Sequence, residues 1–168
     1  MAILTMAVSL TAPALSNFFR GRSLDSEARR LLALTHGGQS RAVSEGLPMD
    51  LWIDAADGKF GLEAEPSYET TDGRAVEFKL DTGLQIEAAK PPVAATPQVL
   101  TPGQMPSIAS VPPVKLAHPT LPTIRFLPDG TISSTSPTQL VLTARDGSSL
   151  WLVQTSDKLS YEIRNSQK

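Results

Sequence analysis

Cysteine is absent from this sequence. That excludes disulfides, thiolate nucleophiles, cysteine-ligated zinc and iron–sulfur clusters, although it does not fix the compartment. Aromatic residues are scarce at 5%, so any core has to be mostly aliphatic. Neither sign of charge dominates: 15 Lys and Arg stand against 17 Asp and Glu, a net charge of −2. Overall charge therefore does not point to nucleic acid or to an anionic membrane surface as partner. The chain also lacks a Gly-rich phosphate loop and a G-x-S-x-G nucleophile elbow. Its carboxylates are scattered singly over strands and turns, so nothing marks a paired acid/base site. Two histidines, His36 and His118, lie too far apart for a recognised metal pattern and read as solvated or interfacial. Asp54, Asp57-Gly58 and Glu63 suggest a calcium loop only faintly. Placing Gly58 at the sixth position puts Ile53 at the first and Ala64 at the twelfth, where acids are needed. The stretch reads as a hairpin turn. No enzymatic activity, cofactor, metal or small-molecule substrate is expected.

What the sequence does contain is ordered along the chain. Its 168 residues, 40% of them apolar, make one domain's worth of chain able to build a core. No charged side chain precedes Arg20, and residues 1–15 are apolar with only small Ser and Thr between. As helix this run spans about 23 Å, short of the ~30 Å hydrocarbon core of a bilayer. It is apolar on all sides, which calls for burial by lipid or by other helices. It lacks the basic start of a secretory signal, while Ala12-Pro13-Ala14 fits the small-x-small cleavage pattern. Pro13 within the run is tolerated, with a kink, in membrane helices and bundles.

Residues 22–46 continue in amphipathic helical spacing. Leu24, Ala28, Leu31, Thr35, Gly38 and Ala42 recur at steps of four and three, forming one stripe expected to pack on a sheet. Arg20, Arg22, Arg29, Arg30 and Arg41 make the helix locally basic and read as a solvated face. Gly37-Gly38 costs about 1 kcal/mol per glycine relative to alanine, so the helix ends either near His36 or at Gly46.

From Leu47 the period changes to two. Met49, Leu51 and Ile53 alternate with polar neighbours and Trp52 before the turn at Asp57-Gly58, and Phe60 and Leu62 return. Val76, Phe78 and Leu80 alternate up to a turn at Asp81–Gly83 that leads into Leu84 and Ile86. Ile124 and Phe126 flank Arg125 before Pro128-Asp129-Gly130, and three more strands carry Leu140 and Leu142, Leu150 and Leu152, and Tyr161 and Ile163. Short strands joined by Asp-Gly turns are hairpin chemistry, so the sheet is expected to be antiparallel. The fold class is therefore α+β: a long N-terminal helix, residues 1–46, followed by a small antiparallel β-sheet domain, residues 47–168. Within that domain, residues 91–122 hold nine of the 14 prolines. Neither helix nor central strand forms there, and the segment reads as an extended surface loop or a polyproline II ligand.

An apolar helix with an internal proline, an amphipathic extension and a small antiparallel β domain resemble the type IV pilin-like proteins. Met1-Ala2-Ile3-Leu4 through Pro13 looks like the second half of their N-terminal hydrophobic motif. Arg29-Arg30-Leu31-Leu32-Ala33-Leu34, with Gln39-Ser40-Arg41-Ala42-Val43, resembles the helix of the minor, H-type pseudopilins of type II secretion and of the FimT minor pilins. Phe126-Leu127-Pro128-Asp129-Gly130 is similar to that group's Phe-x-Pro-x-Gly hairpin.

The resemblance implies a non-enzymatic structural subunit of the periplasmic pseudopilus. Its helix would sit in the bacterial inner membrane, with the globular domain in the periplasm. Its partners would be other pseudopilins, through bundling of N-terminal helices, the inner membrane and the secretion machinery. Ile3, Leu4, Val8, Leu10 and Leu15 would form the membrane and assembly face. The resemblance implies a methylated mature N-terminus; the family's leader, its cleavage site and its early glutamate have no counterpart here, so the expectation is that translation starts upstream of Met1 or that the chain is cut short. Roughly nine further residues would extend the apolar span to ~36 Å, enough for a bilayer. Two rivals remain open: a FimT-like minor pilin that captures DNA, and a secreted β-rich hydrolase with residues 1–14 as signal peptide. The scarcity of aromatic stacking platforms near the arginines argues against nucleic acid.

Overall fold

The computed structural model of the chain describes residues 2–66, 72–89, 118 and 120–165, with helix side chains from Ser23 onward. Helix α1 runs from Ala2 to Glu45 without a break, about 66 Å at 1.5 Å per residue. Gly46 stops it: at φ 68° it takes the left-handed conformation, and its amide donates to the Ala42 carbonyl at 3.0 Å. Gly37 and Gly38 do not end the helix. Packing of Gly38 against the sheet outweighs the unfavourable helix propensity of the pair.

Eight strands follow: β1 (Met49–Asp54), β2 (Lys59–Ala64), β3 (Val76–Lys79), β4 (Leu84–Ala88), β5 (Thr123–Phe126), β6 (Gln139–Ala144), β7 (Ser149–Gln154) and β8 (Tyr161–Asn165). They form two antiparallel sheets of four strands rather than one, in the orders β3-β2-β1-β5 and β4-β6-β7-β8. The turn at Asp81–Gly83 is where this departs from simple hairpin reading. β3 pairs with β2, and β4 pairs with β6, so the turn carries the chain from one sheet to the other. Alternation tells which residues face inward but not which strand lies alongside, and here the apolar side of β4 finds its partner in Leu142, opposite Ile86.

The remaining Asp-Gly turns do close hairpins. Asp54 Oδ1 accepts from the amides of Ala56 and Asp57 at 3.0 and 3.1 Å, and Gly58 adopts φ 61° to let β2 return. Asp146 and Gly147 turn β6 into β7 in the same way, with Ser148 donating to Asp146. The middle of the Pro-rich segment, residues 91–117, lies outside the described residues. Its flanks join β4 at an edge of the second sheet to β5 at an edge of the first. The Ile53 amide donates to Pro122 at 3.0 Å as the chain enters β5.

Both sheets pack on the helix. Met49, Leu51, Ile53, Phe60 and Leu62 of the first sheet meet Ile86, Leu140, Leu142 and Leu152 of the second in one aliphatic core around the helix stripe.

Candidate functional site

The helix carries the residues singled out for assembly. Ile3, Leu4, Val8, Leu10 and Leu15 all lie on α1, where their side chains fall outside the described residues. Leu24, Ala28, Leu31 and Ala42 are buried in the core between the two sheets. Thr35 is buried with them because its hydroxyl donates to the Leu32 carbonyl at 2.7 Å, which satisfies it inside the helix. Gly38 completes the stripe. Among the residues whose side chains are described, no helix is long and apolar enough to cross a membrane.

The basic face is less uniformly solvated than its composition suggests. Arg29 is exposed and pairs with Asp25, but Arg30 lies 4.2 Å over the Phe78 ring and bonds Glu27 at 3.2 Å. Glu27 is itself buried, which pushes its carboxyl up from the ordinary glutamate range despite the neighbouring Arg30. Arg41 is 18% exposed and ties the helix to the connection between β2 and β3. Its guanidinium bonds both Asp72 oxygens at 3.1 Å and Glu45 at 3.0 and 3.2 Å, and Arg74 closes the circuit onto Glu45 at 3.0 Å. The Asp72 carboxylate also accepts from the amides of Ala64 and Arg74. Together these bonds hold it below the usual aspartate range even though burial opposes them. The sequence shows the i, i+4 pair of Arg41 and Glu45 but not the reach to Asp72, 31 residues away.

Gln39 does similar work two residues earlier. Its amide nitrogen donates to Gly130 at 2.6 Å and to Leu159 at 2.7 Å, joining the helix to turns of both sheets. The Phe126–Gly130 motif forms a tight reversal there, with Gly130 at φ 84° donating to Leu127 at 2.9 Å.

The face of the first sheet turned away from the helix is also covered. Asp50 is 2% exposed, and neither of its carboxylate oxygens has a hydrogen-bond partner among the described residues. It stands between Glu63 on β2 and Arg125 on β5 in register. Arg125 is paired with buried Glu65. Burial, and then the charge of Glu65, raise the Asp50 carboxyl to about 6. Next to it Trp52 lies over Gly61, where a Cβ would come within 2.5 Å of the indole. His118 stacks on Trp52 with ring centroids 4.6 Å apart, and its Nε2 stands 3.3 Å from Glu63. Alternation along β1 marks Asp50 and Trp52 as outward-facing. It does not show that His118 folds over Trp52. His36, by contrast, is exposed.

Among the described residues no cluster of three or more His, Asp or Glu side chains could hold a metal. No family model matches the sequence, and no curated protein matches it. Solved structures do. One structure of the minor pseudopilin EpsH from the type 2 secretion system of Vibrio cholerae matches with a TM-score of 0.56 at 10% identity, over 87% of this chain and 99% of that one. A second structure of the same minor pseudopilin gives a TM-score of 0.55 at 9% identity, over 88% of this chain and 96% of that one.

The fold is pilin-like. In it a single N-terminal helix packs on two antiparallel four-stranded sheets, and the likeness spans nearly the whole of the pseudopilin domain. At 9% and 10% identity the likeness to these structures is one of backbone path.

Proposed function

We propose that the chain is a minor pseudopilin, a non-enzymatic structural subunit of the pseudopilus in type II protein secretion. One observation carries the reading: a pilin-like domain, matched over 99% of the EpsH chain, sits on a 44-residue helix whose described side chains pack on the sheets from Leu24 onward. The turns before Arg20 come from a charge-free, largely apolar sequence that finds burial first in lipid and then among neighbouring helices. Ile3, Leu4, Val8, Leu10 and Leu15 form the membrane and assembly face, the inner membrane anchors the helix, and the domain stands in the periplasm. Other pseudopilins and the secretion machinery are its partners.

The test is secretion in the bacterium that encodes the chain. A charge at Val8 costs about 2.5–3.5 kcal/mol near a bilayer centre and leaves an unpaired charge in a helix bundle. Val8→Asp should therefore retain the system's substrates in the periplasm, while Lys79→Asp on the exposed edge strand should not. Normal secretion by Val8→Asp at normal protein level would show that the helix is not an assembly surface.

A further inference from the structure

Where α1 enters the domain, a cleft of about 370 Å³ opens between three separate pieces of chain. Ser23 on the helix forms one wall, the Asp81–Leu84 crossing between the sheets a second, and Ala144-Arg145 at the end of β6 the third. The volume falls within the ~300–1,000 Å³ of small-molecule sites. Its shape is fixed by the backbone: the Arg145 amide donates to Gly83 at 3.1 Å, and the Leu84 amide donates to Asp81 at 3.1 Å. Gly83 at φ 107° leaves room for the Arg145 side chain, whose Nε would be 3.3 Å from a Cβ at that position.

The cleft holds one charge of each sign, and the two are not spent on each other. Asp81 accepts a hydrogen bond from the Ser23 hydroxyl at 2.6 Å and keeps its remaining acceptor sites. The Arg145 guanidinium makes no hydrogen bond or ion pair among the described residues, so its donors are available. A simple anion bound here would sit beside Asp81, and a simple cation beside Arg145. A ligand with a phosphate at one end and an ammonium at the other meets both charges with the right sign. The three chain segments also meet at the end of the domain where the helix arrives from its apolar turns, Ser23 directly following Arg22.

We propose that this cleft seats the phosphoethanolamine headgroup of a bilayer lipid, with Arg145 holding the phosphate and Asp81 the ammonium. The proposal rests on the reading that the preceding helix turns lie in the membrane. It gives the domain a fixed height above the bilayer while the helix is still in lipid. Because a headgroup bond is easily broken, it releases the domain when the subunit is drawn into a fibre.

The experiment uses the full chain in phosphate-free detergent micelles, followed by amide NMR during titration with glycerophosphoethanolamine. Saturable shifts at Gly83, Leu84 and Arg145 are expected. Loss of one charge-assisted contact weakens binding about tenfold, so Arg145→Gln and Asp81→Asn should each show that loss, as should inorganic phosphate or ethanolamine alone with the unaltered chain. No saturable shift, equal binding of phosphate alone or of free glycine, or unchanged affinity in both variants would overturn the proposal. Flotation of the full chain with phosphatidylcholine vesicles, with and without phosphatidylethanolamine, separates the two readings. Flotation on both without headgroup binding keeps the membrane reading and sinks this one. Headgroup binding without flotation on either supports the site and counts against membrane anchoring.

Discussion

Gly38 of the helix lies against Phe126 of β5 so closely that a Cβ would stand 2.8 Å from two ring carbons. The same Cβ would meet a Leu62 methyl at 2.9 Å. Helix and first sheet therefore approach at this point to a distance that only glycine permits. Its neighbour Gly37 has nothing within 4 Å of where its Cβ would be. Two adjacent glycines with the same helix propensity thus have opposite structural roles.

Gly38→Ala should destabilise the domain by about 1–3 kcal/mol, the usual cost of overpacking a core contact. Gly37→Ala should stabilise it by roughly 0.5–1 kcal/mol through helix propensity alone. Urea denaturation of the two variants beside the unaltered chain gives the comparison. Equal effects of the same sign would mean that the helix does not approach the sheet as closely as the contacts require.

Asp50 makes stability depend on pH in a direction unusual for an aspartate. Its carboxyl is raised from 3.8 to about 6 on folding, so the folded state binds the proton more tightly than the unfolded one. The stabilising contribution is full below 3.8 and is lost as pH rises through about 6, a linked free energy of roughly 3 kcal/mol. Glu27 and Glu63, both raised by burial, slope the same way. Denaturation at pH 4.5 and 7.5 should show the chain less stable at the higher value, with Asp50→Asn removing the larger part of the difference. A slope unchanged by Asp50→Asn would place the titrating group elsewhere.

The Arg41 network responds in the opposite sense. The Asp72 and Glu45 carboxyls are held low, so their contribution is present above their ordinary range and disappears as pH falls through their folded values. Arg41→Gln should cost about 1–3 kcal/mol, because half-buried Asp72 keeps its backbone donors but loses its ion pair. Arg41→Lys should recover only part of that, since one ammonium cannot bridge Asp72 and Glu45 as the guanidinium fork does. Thermal melts of the two variants decide it, and full rescue by lysine would reduce the network to simple charge.

The Tyr161 hydroxyl is buried and donates to the Pro137 carbonyl at 2.6 Å, tying β8 to the start of β6. Burial pushes its ionisation above the ordinary tyrosine range. Tyr161→Phe should cost about 1–2 kcal/mol by leaving that carbonyl without its donor. In an alkaline absorbance titration Tyr161 should ionise only as the chain unfolds. Ionisation of both tyrosines before unfolding would show that Tyr161 is accessible.

The helix, its stripe of Leu24, Ala28, Leu31, Thr35, Gly38 and Ala42, and the turns at Asp57-Gly58 and Asp146-Gly147 are legible in the sequence, which leaves the helix end open between His36 and Gly46. These are local matters, set by period and by which residues tolerate a left-handed backbone. Tertiary structure alone decided that Asp81–Gly83 crosses between sheets, because strand partners depend on where the rest of the chain has gone. It also decided that Arg41 reaches Asp72, and that Asp50 is shut away beneath the far side of its sheet. Alternation marks two faces of a strand, but it carries no record of what another segment lays over the second one. The Ser23–Asp81–Arg145 cleft was invisible for the same reason. Its three walls are brought together by the packing of a helix on two sheets, and nothing in the spacing of those residues announces it.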